Sequence, residues 1–259
     1  MHKAMDQTEN TTGTYRRVLS IAGSDSGGGA GIQADIKTFS ALGCYGMTAI
    51  TALTAQNTQG VRDIHPVPPG FVQSQMEAVL EDIGVDAVKI GMLFSAEVIR
   101  TVAQVLAEHN VERIVLDPVM VAQSGDKLLE DQAIEAMVQD LMPLADLITP
   151  NLPEAEVLLQ RKIPDQEAMQ HGARDLSLWG SRAVLLKGGH WGEKECIDLL
   201  YTREGDHCLS LQADHVSTVN NHGTGCTLSS AVAAYLARGL DMEEAVRRAK
   251  DYITQAIRA

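Results

Sequence analysis

The chain has 259 residues, 45% of them apolar, which is enough to bury one large core without an internal split. Its formal charge of -13 disfavours a nucleic-acid surface, because phosphate binding needs clustered Lys and Arg and no such run occurs. No apolar stretch is long enough for a bilayer span, residues 1–16 lack a signal-peptide core, and Cys44, Cys196, Cys208 and Cys226 form no CxxC or zinc-like spacing, so a cytoplasmic protein with reduced thiols is expected.

Residues 1–15 carry no periodicity and read as a disordered leader, leaving 16–259 as a single domain. From there strand-length apolar runs alternate with helix-length amphipathic ones: RVLSIAG, GIQADIKTFSALG, MTAITALTAQ, FVQSQMEAVLEDIG, DAVKIGM, AEVIRTVAQVLAEHN and RIVLDPVM. An Ala- and Leu-rich helix over roughly 131–142 follows, then DLITP and helices near 153–160 and 166–179. SRAVLLKGG, CIDLLYT and HCLSLQA read as consecutive strands, and TLSSAVAAYLARG and MEEAVRRAKDYITQAIRA as closing helices.

Fully apolar strands alternating with helices predict a doubly wound, mostly parallel α/β sheet with helices on both faces. The late run of strands predicts an antiparallel edge. Ligands in such sheets bind beyond the carboxyl ends of the strands, where the unusual residues of this chain fall.

The loop AGSDSGGGAG, Ala22 to Gly31, removes Cβ atoms where backbone must approach a ligand, and amides at a helix start attract electron-rich groups. Gly29, Gly31 and Ala34 fit GxGxxA, but MTAITALTAQ ends in Gln56 without the acidic ribose partner, which weakens an NAD(P)-dependent oxidoreductase. NNHGTGCT, Asn220 to Thr227, would set the amides of Gly223, Thr224, Gly225 and Cys226 at a helix N-terminus, a geometry suited to an anion hole. At that position Cys226 is either a small core residue or a thiol of lowered pKa.

Asp117 in LDPVM ends a buried strand and is a Mg²⁺ candidate, with QSGD (123–126) close behind. In TPNLPEAEVL, Asn151 and Glu154 have the spacing to address one metal-bound water cluster, and equally the spacing of a helix capping box. Lys187 in VLLKGGH can neutralise transferring phosphate charge, and no GxxxxGK[ST] occurs, which excludes a P-loop kinase.

Taken in order, AGSDSGGGAGIQADIKTFSALG, ITALTAQNTQGV, KIGML, VLDPVM, SGD, LITPNLPEAEVLL, VLLKGGH and HGTGCTLSSAVAAYLARG resemble the hydroxymethylpyrimidine/phosphomethylpyrimidine kinases of thiamin biosynthesis. The resemblance runs from about Arg17 to Arg238. It implies a ribokinase-like fold without the separate lid of the sugar kinases, Mg²⁺ and ATP as cofactors, and a homodimer. It also implies phosphorylation of 4-amino-5-hydroxymethyl-2-methylpyrimidine and then of its monophosphate.

By matching motif, Gly23, Asp35, Gln56, Met92 and Val119 would form the pyrimidine pocket. Asp117 and Glu154 would stand on the Mg²⁺ side, Asn151, Lys187 and Thr224 on the phosphate side, and Gly223, Thr224, Gly225 and Cys226 at the anion hole. Cys226 stands where sugar kinases carry an Asp base, and a thiolate there can accept the hydroxymethyl proton. Relatives commonly continue into a glycine- and histidine-containing tail, whereas this sequence stops at Ala259. A pyridoxal kinase is the near alternative, since its substrate is also a nitrogen ring bearing a hydroxymethyl group.

Overall fold

The chain order is β1 (Arg16–Ala22), α1 (Gly31–Ala41), β2 (Cys44–Ile50), β3 (Ala52–Asn57), β4 (Gly60–Pro66), α2 (Pro69–Asp82), β5 (Ala87–Ile90), α3 (Ala96–Glu108) and β6 (Ile114–Leu116). It continues with α4 (Asp131–Ala136), β7 (Leu147–Ile148), α5 (Leu152–Leu159), α6 (Gln166–Ser177), β8 (Ala183–His190), β9 (Glu195–Thr202), β10 (His207–Asp214), α7 (Thr224–Ala237) and α8 (Met242–Arg258). The structure, a computed structural model, describes residues 15–120, 129, 131–190, 195–214, 216, 218 and 221–258. The QSGD motif lies outside the described residues, as do residues 1–14 of the expected leader.

Eight strands form one sheet in the order β10-β9-β8-β7-β6-β5-β1-β2. Neighbours from β2 to β8 run parallel, and β8, β9 and β10 pair antiparallel, as the sequence predicts. Pleating divides each strand between two cores. Leu19, Ile21, Val88 and Ile90 face one, with α3 and α6 residues such as Val102 and Met169. Val18, Ala87 and Val115 face the other, against α7 and α8 residues such as Val232 and Val246. Ser20 and Lys89, register partners on β1 and β5, lie on that second face and are both fully buried.

Two local readings change. MTAITALTAQ is not one strand: it breaks at Thr51, whose amide bonds Ala22 O at 3.1 Å and whose hydroxyl donates to Met92 O at 2.6 Å. Beyond the break β3 leaves the sheet and pairs antiparallel with β4, which sequence reading did not find, in a separate two-stranded ribbon. The ribbon packs Val61 and Ile64 over Met92 and Val119 at the sheet's carboxyl end.

The helix expected over 131–142 loses α geometry after Ala136, passing through a π turn (Met137–Leu141) into a 3₁₀ turn (Met142–Leu144) at Pro143. Proline removes the donor that would continue the ladder. The strand expected over SRAVLLKGG is β8, which runs through Lys187 to His190 with an irregular register between those two residues.

Strand order turns back at β1, which has β2 on one side and β5 on the other. Such a switch point opens a crevice at the carboxyl ends, and here it lies beside the ends of β1 and β5.

Candidate active site

Two cavities occupy that crevice. The larger, about 450 Å³, is lined by Asp117, Asn151, Glu154, Lys187 and the turn His222 to Cys226, together with Gln56 and Val119. The smaller, about 60 Å³, is lined by Gly23, Gln56, Lys89, Met92, Val119 and Cys226. Gln56, Val119 and Cys226 border both.

Most of the residues selected from sequence therefore meet at one place. Asp35 does not line either cavity. Its carboxylate is fully buried and accepts from Ser20 Oγ, Ser230 Oγ and Lys89 Nζ, so Lys89 rather than Asp35 presents a charge to the smaller cavity.

The glycine-rich loop also departs from expectation. Asp25 turns its carboxylate inward, Oδ1 accepting from Gly27 N at 2.8 Å and Oδ2 from Gly29 N at 3.0 Å and Ala30 N at 2.8 Å. The loop's amides are thereby satisfied within the protein, which removes the basis for a pyrophosphate cradle there. His222 Nε2 reaches the same Oδ2 at 2.8 Å and ties this loop to the turn before α7.

Contact between the two loops needs a residue without a side chain. Gly223 has φ +81°, and a Cβ on it would lie 1.7 Å from Gly29 O. The first amides of α7 have no partner inside a helix, and the macrodipole adds positive potential there. Thr224 N donates to Asn221 O at 3.3 Å, which leaves the amides of Gly225 and Cys226 in the first turn of α7 on the lining of the larger cavity.

Lys187 Nζ donates to Asp117 Oδ1 at 3.0 Å. Two devices aim it. Its amide bonds Pro150 O at 2.8 Å, and the next residue's amide, Gly188 N, bonds Asp198 Oδ1 at 3.1 Å, with Lys250 paired to the other Asp198 oxygen. Asp117 also accepts from Thr149 Oγ1 at 3.0 Å and Ser229 Oγ at 3.3 Å. Burial opposes the Asp117 charge, but Lys187 and Lys89 outweigh it and hold its pKa low, while Asp117 and Glu154 together keep the Lys187 ammonium charged against burial.

Asn151 and Glu154 form the capping box: Asn151 Oδ1 accepts from Glu154 N, and Glu154 Oε2 from Asn151 N, both at 2.8 Å. Burial first, and Asp117 second, push Glu154 up to about 7 despite Lys187. A carboxylate this costly to charge is one that a cation would relieve.

Asp117 and Glu154 are oxygen donors on the wall of the larger cavity, which fits Mg²⁺ held through one or two carboxylates and its own waters. Among the described residues no group of three or more His, Cys, Asp or Glu side chains gathers as a metal cage, in keeping with an ion that phosphates also ligate.

Cys226 differs from the activated thiol considered above. Burial pushes its pKa up, and although Lys89 and the Gly31 amide favour the thiolate, Asp35 and Asp117 oppose it. The helix N-terminus alone does not make this sulfur a thiolate.

Comparison with known proteins matches the expectation drawn from the motifs. A family profile described as phosphomethylpyrimidine kinase matches residues 25–259. The chain belongs to the phosphomethylpyrimidine kinase family. Over 245 residues it is 50% identical to the hydroxymethylpyrimidine/phosphomethylpyrimidine kinase of Haemophilus influenzae, covering 93% of this chain and 91% of that protein.

It is 52% identical to the thiamine biosynthesis bifunctional protein ThiED of Geobacter sulfurreducens, spanning 93% of this chain but about half, 49%, of that longer protein. The pyridoxal kinase of Staphylococcus aureus, solved in complex with AMP-PCP, superposes with a TM-score of 0.86 at 39% identity, covering 95% of this chain and 89% of that one. The architecture is thus ribokinase-like.

Sequence reading of this family member missed Asp25, His222 and Lys89. An Asp two residues before a glycine run is a legible signal, because Asx side chains bond backbone amides just ahead of them. His222 adjoins a motif already singled out. Lys89 gave no signal beyond a charge inside an apolar strand.

Proposed function

We propose that the chain transfers the γ-phosphoryl group of ATP to the hydroxymethyl oxygen of 4-amino-5-hydroxymethyl-2-methylpyrimidine, and then phosphorylates the monophosphate to the diphosphate, in thiamin biosynthesis. The observation that carries this is the convergence of Lys187, Asp117 and the first turn of α7 on a cavity that shares Gln56, Val119 and Cys226 with a smaller one beside it. Phosphoryl transfer needs chiefly positioning and charge neutralisation, which these groups supply.

In this reading the smaller cavity takes the ring, with Met92 and Val119 as walls and Gln56 reading its polar edge. Thr54 Oγ1 lies 2.7 Å from Ser24 O and 3.1 Å from the Gln56 amide oxygen, yet a hydroxyl has one proton. Giving that proton to Ser24 O turns the Gln56 NH₂ toward Thr54 and its carbonyl toward the ring. The carbonyl then accepts from the 4-amino group. Ser26 fixes the Gln56 backbone from the glycine-rich loop, accepting from Gln56 N at 2.8 Å.

Lys187 donates to the transferring phosphoryl oxygens, Asn151 and Thr224 border the nucleotide phosphates, and the amides of Gly225 and Cys226 face the developing charge. Asp117 and Glu154 would hold Mg²⁺, whose contribution is to neutralise phosphate charge. The same reading takes 16–259 as one kinase domain, working as a homodimer in the cytoplasm. Its support is the family resemblance and the eight-stranded sheet, which draws its strands from β1 through β10.

The pyridoxal kinase reading rests on the 0.86 superposition, and the higher identity to the pyrimidine kinase, 50% against 39%, favours the first. Coupled ADP-release assays with ATP and either compound test the choice. Higher kcat/KM for the pyrimidine is expected, and a tenfold preference for pyridoxal would refute it.

A further inference from the structure

Lys89 occupies an unusual place. It lies on β5, in register with Ser20 of β1, and its side chain is 0% exposed. Its ammonium bonds Asp35 Oδ1 at 2.9 Å and Oδ2 at 3.0 Å. Ser230 Oγ of α7 donates to the first of these oxygens and Ser20 Oγ to the second, both at 2.6 Å.

Each Asp35 oxygen thus receives a hydroxyl and a share of the ammonium, which fixes the pair rigidly. Two of the three ammonium N–H groups are directed at the carboxylate. The same side chain also lines the smaller cavity, beside Cys226.

A fully buried ion pair is a poor source of stability, because desolvation of both charges offsets their attraction. What this pair does achieve is to hold a cation at the wall of the smaller cavity. Burial works to discharge Lys89, but Asp35 foremost, with Asp117 behind it, keeps its pKa raised.

Cys226 borders both cavities and marks the passage between ring and phosphates. A ring substituent that is to be phosphorylated must lie in that passage, within the neighbourhood of Lys89.

We propose that Lys89 hydrogen-bonds the oxygen of the substrate's hydroxymethyl group through its remaining N–H, as a specificity-determining contact, with Asp35 as the positioning residue that aims it. The assignment rests on the pyrimidine-kinase reading and deepens it: the kinase selects the hydroxylated ring by a buried cation. Asp35 then acts through Lys89 and not by touching the ring.

The test is binding of 4-amino-5-hydroxymethyl-2-methylpyrimidine and of 4-amino-2,5-dimethylpyrimidine, which lacks only that oxygen, measured calorimetrically without nucleotide. Wild type is expected to prefer the hydroxylated compound by about tenfold or more, the scale of one hydrogen bond to a charged group. Lys89→Met is expected to bind the two equally, with affinity for the dimethyl compound unchanged. Should Lys89→Met strand Asp35 and fail to fold, the double variant Lys89→Met/Asp35→Asn removes both charges and carries the same expectation.

A merely structural Lys89 would leave the preference intact or weaken both compounds alike, and either result overturns the assignment. So does a wild type that binds both compounds without preference. A wild type that binds neither would overturn the substrate reading and this contact together, so the two failures are distinguishable.

Discussion

His222 Nε2 stands 2.8 Å from Asp25 Oδ2, joining residues 197 apart in sequence and locking the glycine-rich loop to the turn that opens α7. Both side chains are largely buried, at 17% and 1% exposure. The tie fixes the turn that opens α7 relative to the glycine-rich loop beside the smaller cavity.

Replacing His222 by Ala removes one hydrogen bond to a charged group, worth about 1.5–3 kcal/mol, while Asp25 keeps its amide donors. The melting temperature should fall by roughly 3–12 °C. Turnover should fall as well, because the loops lose their mutual register. Calorimetry with steady-state kinetics checks both, and an unchanged kcat would show that the tie does not position the site.

Asp25 also sets an acid limit. Burial opposes its charge, but hydrogen bonds from His222 and from the amides of Ala30 and Gly27 outweigh burial and hold its pKa below the ordinary 3.8. A carboxylate lowered in the folded state contributes stability in full above its unfolded pKa and loses it as pH falls through the folded value. Asp25→Asn should therefore be less stable than wild type near neutral pH, with the gap closing below about pH 4 in denaturant titrations. A gap independent of pH would contradict the assignment.

Gly223 and Gly225 should respond differently to Ala. A Cβ at Gly223 would fall 1.7 Å from Gly29 O on a backbone of φ +81°, whereas at Gly225 the nearest atom is Lys187 Nζ at 3.3 Å. Left-handed strain alone costs about 1–3 kcal/mol, and the clash forces the loops apart. Gly223→Ala is expected to lose nucleotide binding and to unfold earlier, while Gly225→Ala folds normally. Thermal shift with and without AMP-PCP separates them, and equal behaviour would argue against the loop contact.

Cys226 is protonated at neutral pH on the balance of its surroundings, burial foremost. A positioned general base contributes about 10²–10⁴-fold. Cys226→Ala should cost less than about tenfold in kcat, below that range. A loss of 10²-fold or more in an otherwise well-folded variant would restore the thiolate base.

The parallel sheet was legible because its strands carry no polar alternation, and the site because its residues cluster at the carboxyl ends of strands and the starts of the helices that follow. Asp117, Asn151, Glu154, Lys187 and Gly223 to Cys226 could be grouped before their distances were known. The β3-β4 ribbon was hidden because Thr51 interrupts an apolar run without Gly or Pro, its bonds to Ala22 and Met92 being long-range.

The role of Asp25 was hidden for a similar reason: its carboxylate fills a nest that glycine spacing alone suggests is open. The inward charge of Lys89 was obscured because the partners that make its burial tolerable come from β1, α1 and α7.

In the proposed reaction Lys187, aimed by Asp117 and the irregular register of β8, and the first amides of α7 neutralise a phosphoryl group in flight. Phosphorus NMR of Mg-ATP with 4-amino-5-hydroxymethyl-2-methylpyrimidine tests it most directly, comparing wild type with Lys187→Met. Wild type should yield the monophosphate ester and ADP in equal amounts, and the variant, still folded, should be slower by about 10²-fold or more, the scale of one lost transition-state donor. Near-normal transfer by Lys187→Met, or no ester from wild type, would contradict it.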